Sequence, residues 1–208
     1  MLRRLSLLLV MSGAILPLAA PSVYADAPMT GRVGRAEVRF MEGMVDHHQM
    51  AVDMADDCLM KATTDSVRTL CQNVIAAQTP EIGMLRGWLL EWYNVEYQTV
   101  PMPTATMSEM GGMEGMNHDG MAMGDQPYTD PAMMMGMMAG FNRLEGAAYD
   151  AAWLESMIDH HDDALHMSER ILERAQHSEL VTLAENIIKA QTAEIEMMET
   201  MIAAMGEE

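Results

Sequence analysis

The sequence predicts an all-α protein: a four-helix bundle built from two repeated helical hairpins, with a long Met-rich linker between them. Three observations predict it. The first is a duplication. Met-x-Asp-His-His occurs at Met44 and again at Met157, a shift of 113 positions, and the same shift lays "NVIAAQTPEIGML" from Asn73 on "NIIKAQTAEIEMM" from Asn186 without a gap. A register held over about forty residues marks one structural unit used twice. The second is periodicity. Phe40, Met44, His47, Ala51 and Met54 follow each other at 4, 3, 4, 3, and Trp153, Met157, His160, Ala164 and Met167 repeat that spacing. Such spacing draws one stripe along a helix. The third is composition: half of the 208 residues are hydrophobic and only 5% aromatic. That allows a core and favours helices over strands.

The elements follow in order. Residues 1–25 read as an export signal: Arg3 and Arg4, the apolar run "LSLLLVMSGAILPLAA" interrupted by Gly13 and Pro17, and the small residues Val23 and Ala25 before a cut at Asp26. The run is too short and interrupted for a membrane span. The expected location is the periplasm, with no membrane insertion after cleavage near Ala25.

Residues 26–99 form the first hairpin. Its second helix is expected to start at a cap from Asp65 or Ser66 and to run to about Tyr97, with Trp88 and Trp92 one turn apart. Pro80 removes one helical hydrogen bond, so a local irregularity is expected there. Cys58 and Cys71 are the only cysteines. An even count in an oxidising compartment reads first as a disulfide across the helix–helix corner, worth about 3 kcal/mol at most for so short a loop. A reduced thiolate pair holding copper is the alternative.

Residues 100–138 are the linker, rich in glycine, proline and methionine and poor in branched aliphatics. It has little to build a core with. "PAMMMGMMAG" at its end is expected to extend the third helix backward. Residues 139–208 form the second hairpin, with Ser178 as the expected cap of the last helix.

The chain holds 27 methionines and carries a formal charge of −19, or −21 once Arg3 and Arg4 are removed. That charge argues against nucleic acid and anionic membrane surfaces and suits cations or a basic partner. Thioethers are soft, neutral ligands that select Cu(I), while imidazole takes Cu(I), Cu(II), zinc or nickel. A mixed Met/His set therefore points to copper, with Cu(I) favoured and Cu(II) or Ag(I) allowed. The candidate ligands in the hairpins are Met44, His47, His48, Met50, Met54, Met157, His160, His161, His166 and Met167. Met44 can meet His47 or His48 at i+3 and i+4, and Met157 can meet His160 or His161 in the same way. Asp46 and Asp159 are expected to orient an imidazole or to face solvent. Plain core packing is the alternative for the hairpin methionines. In the linker, Met110, Met113, Met116, His118, Met121 and Met123 have no core to fill. They read as a thioether string for a soft cation, with low complexity as the alternative.

Glu42 and Glu155 lie at the wrong offsets for the Glu-x-x-His pattern of di-iron bundles. No phosphate loop, Ser-His-Asp set or four-Cys zinc pattern stands out. An enzyme is not expected. Ligands that protonate differ from thioethers in acid, so Cu(I) on the linker should persist to about pH 5 while His sites weaken below about pH 6.

Each repeat resembles the domain-of-unknown-function family 305, ferritin-like helical bundles of exported bacterial proteins. The matching pieces are "FMEGMVDHHQMAVDMA" and "WLESMIDHHDDALHMSERIL", followed by "AAQTPEI" and "KAQTAEI". The resemblance covers nearly all of the mature chain but the linker. Some members, the CopM-like proteins, are periplasmic copper binders linked to copper resistance. The resemblance implies copper at Met44, His47, His48, Met54 and at Met157, His160, His161, Met167. One departure is that Asp53 stands where the second copy has His166.

The expected function is an exported protein that sequesters or carries Cu(I), or Ag(I), and contributes to copper tolerance. The expected partners are copper ions and another periplasmic copper-handling protein. The rivals are a copper oxidase acting on Cu(I) and a metal-free periplasmic interaction module.

Overall fold

The computed structural model describes residues 27–99, 140–141 and 143–206. Four long helices hold most of them: α1 Gly31–Lys61, α2 Asp65–Tyr93, α3 Gly146–Leu172 and α4 Ser178–Met205. α1 pairs with α2, α3 with α4, and the two hairpins meet mainly through α1 and α3. The result is an all-α four-helix bundle, with no strand among the described residues. The signal segment, the linker with its candidate ligands Met110 to Met123, and most of "PAMMMGMMAG" lie outside the described residues.

The stripe read from the sequence is the buried face of α1 and α3. Met44, Ala51, Trp153, Met157 and Ala164 are wholly buried, and Phe40, His47, Met54, His160 and Met167 nearly so. Two apolar clusters form. One gathers Met50, Met54, Met157, Tyr149, Trp153 and the cysteines. The other gathers Phe40, Met41, Met44, Met167, Ile171 and Leu89. Each cluster draws on both hairpins, because neither hairpin can bury its stripe alone. Cys58 and Cys71 form the disulfide, with Cα atoms 6.3 Å apart across the α1–α2 corner. Both sulfurs are thereby withdrawn from metal binding, so the thiolate reading falls.

Several helix ends differ from the sequence-based expectation. α2 stops at Tyr93, not Tyr97, because Asn94 turns left-handed (φ 53°) and its N–H bonds back to the last turn. The N-cap of α2 is Thr64, ahead of the expected Asp65 or Ser66, and that of α4 is His177, one residue before the expected Ser178. Neither cap residue bonds its own helix through its side chain. The α2 assignment runs unbroken through Pro80. Pro80 and Ala76 lie on the exposed face, so water can take the carbonyl that proline leaves without a donor. α3 begins at Gly146 after an extended Glu145.

Both corners, up to the N-cap residues, are instead held from the opposite hairpin. Asp150 of α3 accepts the Thr63 and Thr64 backbone N–H groups at 3.0 and 2.9 Å and both threonine hydroxyls at 2.9 and 2.6 Å. Glu37 of α1 accepts the Gln176 and His177 backbone N–H groups at 2.7 and 3.2 Å, the His177 Nδ1–H and the Tyr93 hydroxyl. Glu37 and Asp150 are equivalent under the 113-residue shift. Each is fully buried and ties its helix to the corner of the other hairpin. Burial raises both carboxyl pKa values, yet these hydrogen bonds outweigh it and hold both below their ordinary range.

Candidate metal centre

The repeat places one His-His pair on α1 and one on α3, at the crossing of the two hairpins. The rings of His47 and His160 lie 3.7 Å apart, centroid to centroid, with their planes tilted by 37°. His160 Nε2–H donates to the His47 carbonyl at 3.0 Å. His48 and His161 turn away from this pair, each about 6 Å from its neighbour in sequence: 6.3 Å for His47–His48 and 6.1 Å for His160–His161. All four imidazoles are buried. Met44 shares its cluster with Met167, and Met54 shares its own with Met157. α1 and α3 therefore run antiparallel, with the histidine pair at the centre and one methionine group on each side.

Each outer histidine meets a glutamate from its own hairpin. His48 Nε2 lies 2.6 Å from Glu81 Oε2, and His161 Nε2 lies 2.6 Å from Glu194 Oε2. Both glutamates belong to the "AQT-x-EI" block shared by the repeats, and both are partly exposed while the histidines are not. Sequence reasoning missed them. It offered Asp46 and Asp159 for the orienting role, with solvent as the alternative; Asp46 accepts from the Tyr97 hydroxyl at 2.5 Å, and Asp159 is exposed, as that alternative has it. The signal was present in the identical blocks around Glu81 and Glu194. Gln78 and Gln191, also identical and buried, are a second pair that the sequence reading used only for register.

The polar core is poorly satisfied. Both ring nitrogens of His47, the Nδ1 atoms of His48, His160 and His161, both amide atoms of Gln78 and the Gln191 oxygen are buried without a hydrogen-bond partner. A buried group left so costs about 1–3 kcal/mol, which a fold tolerates where the group has another use. Among the described residues, no three His, Cys, Asp or Glu side chains converge as a ready-made metal site. Met44 and Met157 stand one helical turn before the His-His pairs, so the donors nearest in register are thioethers. Unpartnered neutral nitrogens beside soft sulfur fit a soft cation and do not suit a hard one.

The predicted ligands are not all together. Met44 and Met54 lie ten residues apart on one helix, about 15 Å along its axis, so they cannot share one ion. Met50 lies with Met54 and Met157. His166 is outside the centre altogether: it is exposed, and its Nδ1 bonds the Asp162 carbonyl at 2.8 Å. Its counterpart Asp53 accepts from Gln49 at 3.0 Å.

Burial first, and then nearby imidazoles (His160, His48 and His161 for His47; His161 and His48 for His160), push the pKa of His47 and His160 well below the ordinary imidazole value. This has two consequences. Proton competition at these two rings begins at lower pH than the sequence suggested, since burial disfavours their charged form. Second, stability depends on pH. The unfolded rings take up protons near pH 6.5 and the folded rings do not, so stability is full above that value and falls as the pH is lowered through it. The loss approaches about 1.4 kcal/mol per ring for each further pH unit. His166 shifts upward, through the Asp162 carbonyl bond, but it is exposed and screened. The metal-free protein is therefore expected to show a lower urea midpoint at pH 5.5 than at pH 7.5. An equal or higher midpoint at pH 5.5 contradicts the burial of neutral rings.

The model of the DUF305 family, a domain of unknown function, matches residues 37–202. The chain belongs to the DUF305 family. No curated protein matches it. Its fold is similar to that of a DUF305 protein from Streptomyces coelicolor, described as a candidate secreted protein, with 27% identity over 82% of this chain and 92% of that one and a TM-score of 0.62. It is similar to CopM in the Cu(II)-bound form, with 27% identity over 81% of this chain and 96% of that one and a TM-score of 0.59. CopM in the Cu(I)-bound form, at 23% identity, 81% and 96% coverage and a TM-score of 0.60, shows the same fold. Among the described residues no helix is long and apolar enough to cross a membrane.

Proposed function

We propose that this DUF305 protein is an exported copper binder that sequesters or carries Cu(I), or Ag(I), through histidine and methionine, and so contributes to copper tolerance. The observation that carries the reading is the buried histidine crossing with thioethers on either side and five imidazole nitrogens without partners. Support comes from the family likeness to CopM, solved with Cu(II) at 27% identity. In this reading His47, His48, His160 and His161 offer nitrogen, and Met44, Met54, Met157 and Met167 offer sulfur from both sides. The two groups of methionine lie too far apart for one ion, so each flank of the crossing is its own site. The linker methionines add weaker capacity. The acidic surface raises the local cation concentration and suits a basic periplasmic partner.

Holding the ion without turning it over is the favoured role. A copper oxidase needs an open coordination position for oxygen, whereas all four imidazoles are buried. Steady oxygen uptake on adding Cu(I) is the result that would favour an enzyme. The test of binding is an anaerobic Cu(I) titration against a colorimetric chelator. The mature chain is run beside one lacking Thr104–Gly124. The shortened chain is expected to keep the tight sites and lose several weaker ones. If neither chain competes for Cu(I), the methionines are packing, and the metal-free interaction module takes the place of this reading.

A further inference from the structure

We propose that Glu81 and Glu194 are positioning residues that fix which nitrogen of His48 and His161 faces the metal. The inference rests on the copper reading above and names how its ligands are prepared. A carboxylate 2.6 Å from Nε2 accepts a proton-bearing nitrogen, so Nε2 of His48 and of His161 carries the hydrogen. In a neutral ring the other nitrogen, Nδ1, then keeps its lone pair. Both Nδ1 atoms are buried and lack a hydrogen-bond partner. His160 arrives at the same tautomer by a different route, since its Nε2–H is spent on the His47 carbonyl. Three of the four rings are thus set alike, with Nδ1 as the free ligand atom.

The internal repeat supports this as a device and not an accident of one helix. The Glu-to-His contact recurs with the same atoms, the same distance and the same 33-residue separation in both hairpins. The outer face of the same two helices has diverged: Gly83 faces Glu196, Gly87 faces Thr200 and Leu90 faces Ala203 under the repeat. The glutamates also do a job that neither apolar packing nor the bundle's own backbone requires. An orienting carboxylate raises ligand basicity and fixes ring direction, and losing it costs about 10- to 100-fold in metal affinity.

The test uses the full mature chain with nitrogen-15 in its histidines. Long-range proton–nitrogen spectra of the metal-free protein at neutral pH should show His48 and His161 as single Nε2–H tautomers, and adding Cu(I) should move their Nδ1 signals. Glu81→Gln with Glu194→Gln is isosteric at two partly exposed positions. It should mix or invert those tautomers and weaken Cu(I) binding by about 10- to 100-fold, with the helix content unchanged. Nδ1–H or doubly protonated rings in the wild-type protein overturn the assignment. If the wild-type rings take up Cu(I) and the variant matches them in tautomer and affinity, the assignment alone falls. If the wild-type rings take up no Cu(I), the copper reading falls and carries the assignment with it.

Discussion

Asp150→Ala is expected to cost about 3–5 kcal/mol of folding stability, a large effect for one carboxylate. The substitution leaves the Thr63 and Thr64 N–H groups and both hydroxyls without their acceptor at the start of α2. Hydrogen bonds to an ionised group contribute about 1.5–3 kcal/mol each, and loss of a cap alone costs about 1 kcal/mol. The four bonds are not additive, since both threonines lie at the corner and water can replace part of what is lost. Glu37→Ala should cost a similar amount by stranding the Gln176 and His177 N–H groups, the His177 ring and the Tyr93 hydroxyl. Both carboxyls are held below their ordinary pKa, so the stability they supply is present above about pH 4.5 and is lost as the pH falls below it. Urea unfolding at pH 7 reads both variants. A loss under about 1 kcal/mol for each means that the corners are held by packing alone.

The second expectation opposes stability to function. His47→Leu with His160→Leu removes two buried rings, one of them with neither nitrogen satisfied. Exchanging an unpaired buried polar group for an apolar one of similar size is often stabilising, here by about 1–3 kcal/mol for the metal-free protein. The same variant should lose Cu(I) affinity at the crossing by about 100-fold or more, beyond what outer partners alone cost. It should also lose the rise in melting temperature that Cu(I) gives the wild-type chain, because a ligand stabilises only the state that binds it. Thermal unfolding with and without Cu(I) reads both arms. A variant less stable than wild type, with its copper response intact, shows that the histidines are structural. Such an outcome would place metal binding in the linker.

The architecture was legible because a duplication is a long-range signal that one sequence carries by itself. The 113-residue shift implied two hairpins, and the 4, 3, 4, 3 stripe identified the faces that α1 and α3 bury. The disulfide was legible from two cysteines flanking a corner. The helix ends were not, for a physical reason. Capping rules look a few residues ahead, whereas the corners where α2 and α4 begin are held by Asp150 and Glu37 from the other hairpin, 86 and 140 residues away. The candidate site was half legible. Its histidines and methionines announced their chemistry by type. Glu81, Glu194, Gln78 and Gln191 did not, because a glutamate in a helix is usually a solvated one. Their identity across the two copies was the available sign. The grouping of the candidate ligands was out of reach, since Met44 joins Met167 and Met54 joins Met157 only once the hairpins cross.

The central claim is that the crossing itself holds copper through both nitrogen and sulfur. X-ray absorption at the copper edge tests it most directly. The sample is the mature chain lacking Thr104–Gly124, loaded with Cu(I) under anaerobic conditions and desalted. The account predicts retained copper with both imidazole nitrogen and thioether sulfur as neighbours, and a smaller nitrogen contribution in His47→Leu with His160→Leu, where only His48 and His161 remain. Sulfur neighbours alone, or no copper left after desalting, would contradict it.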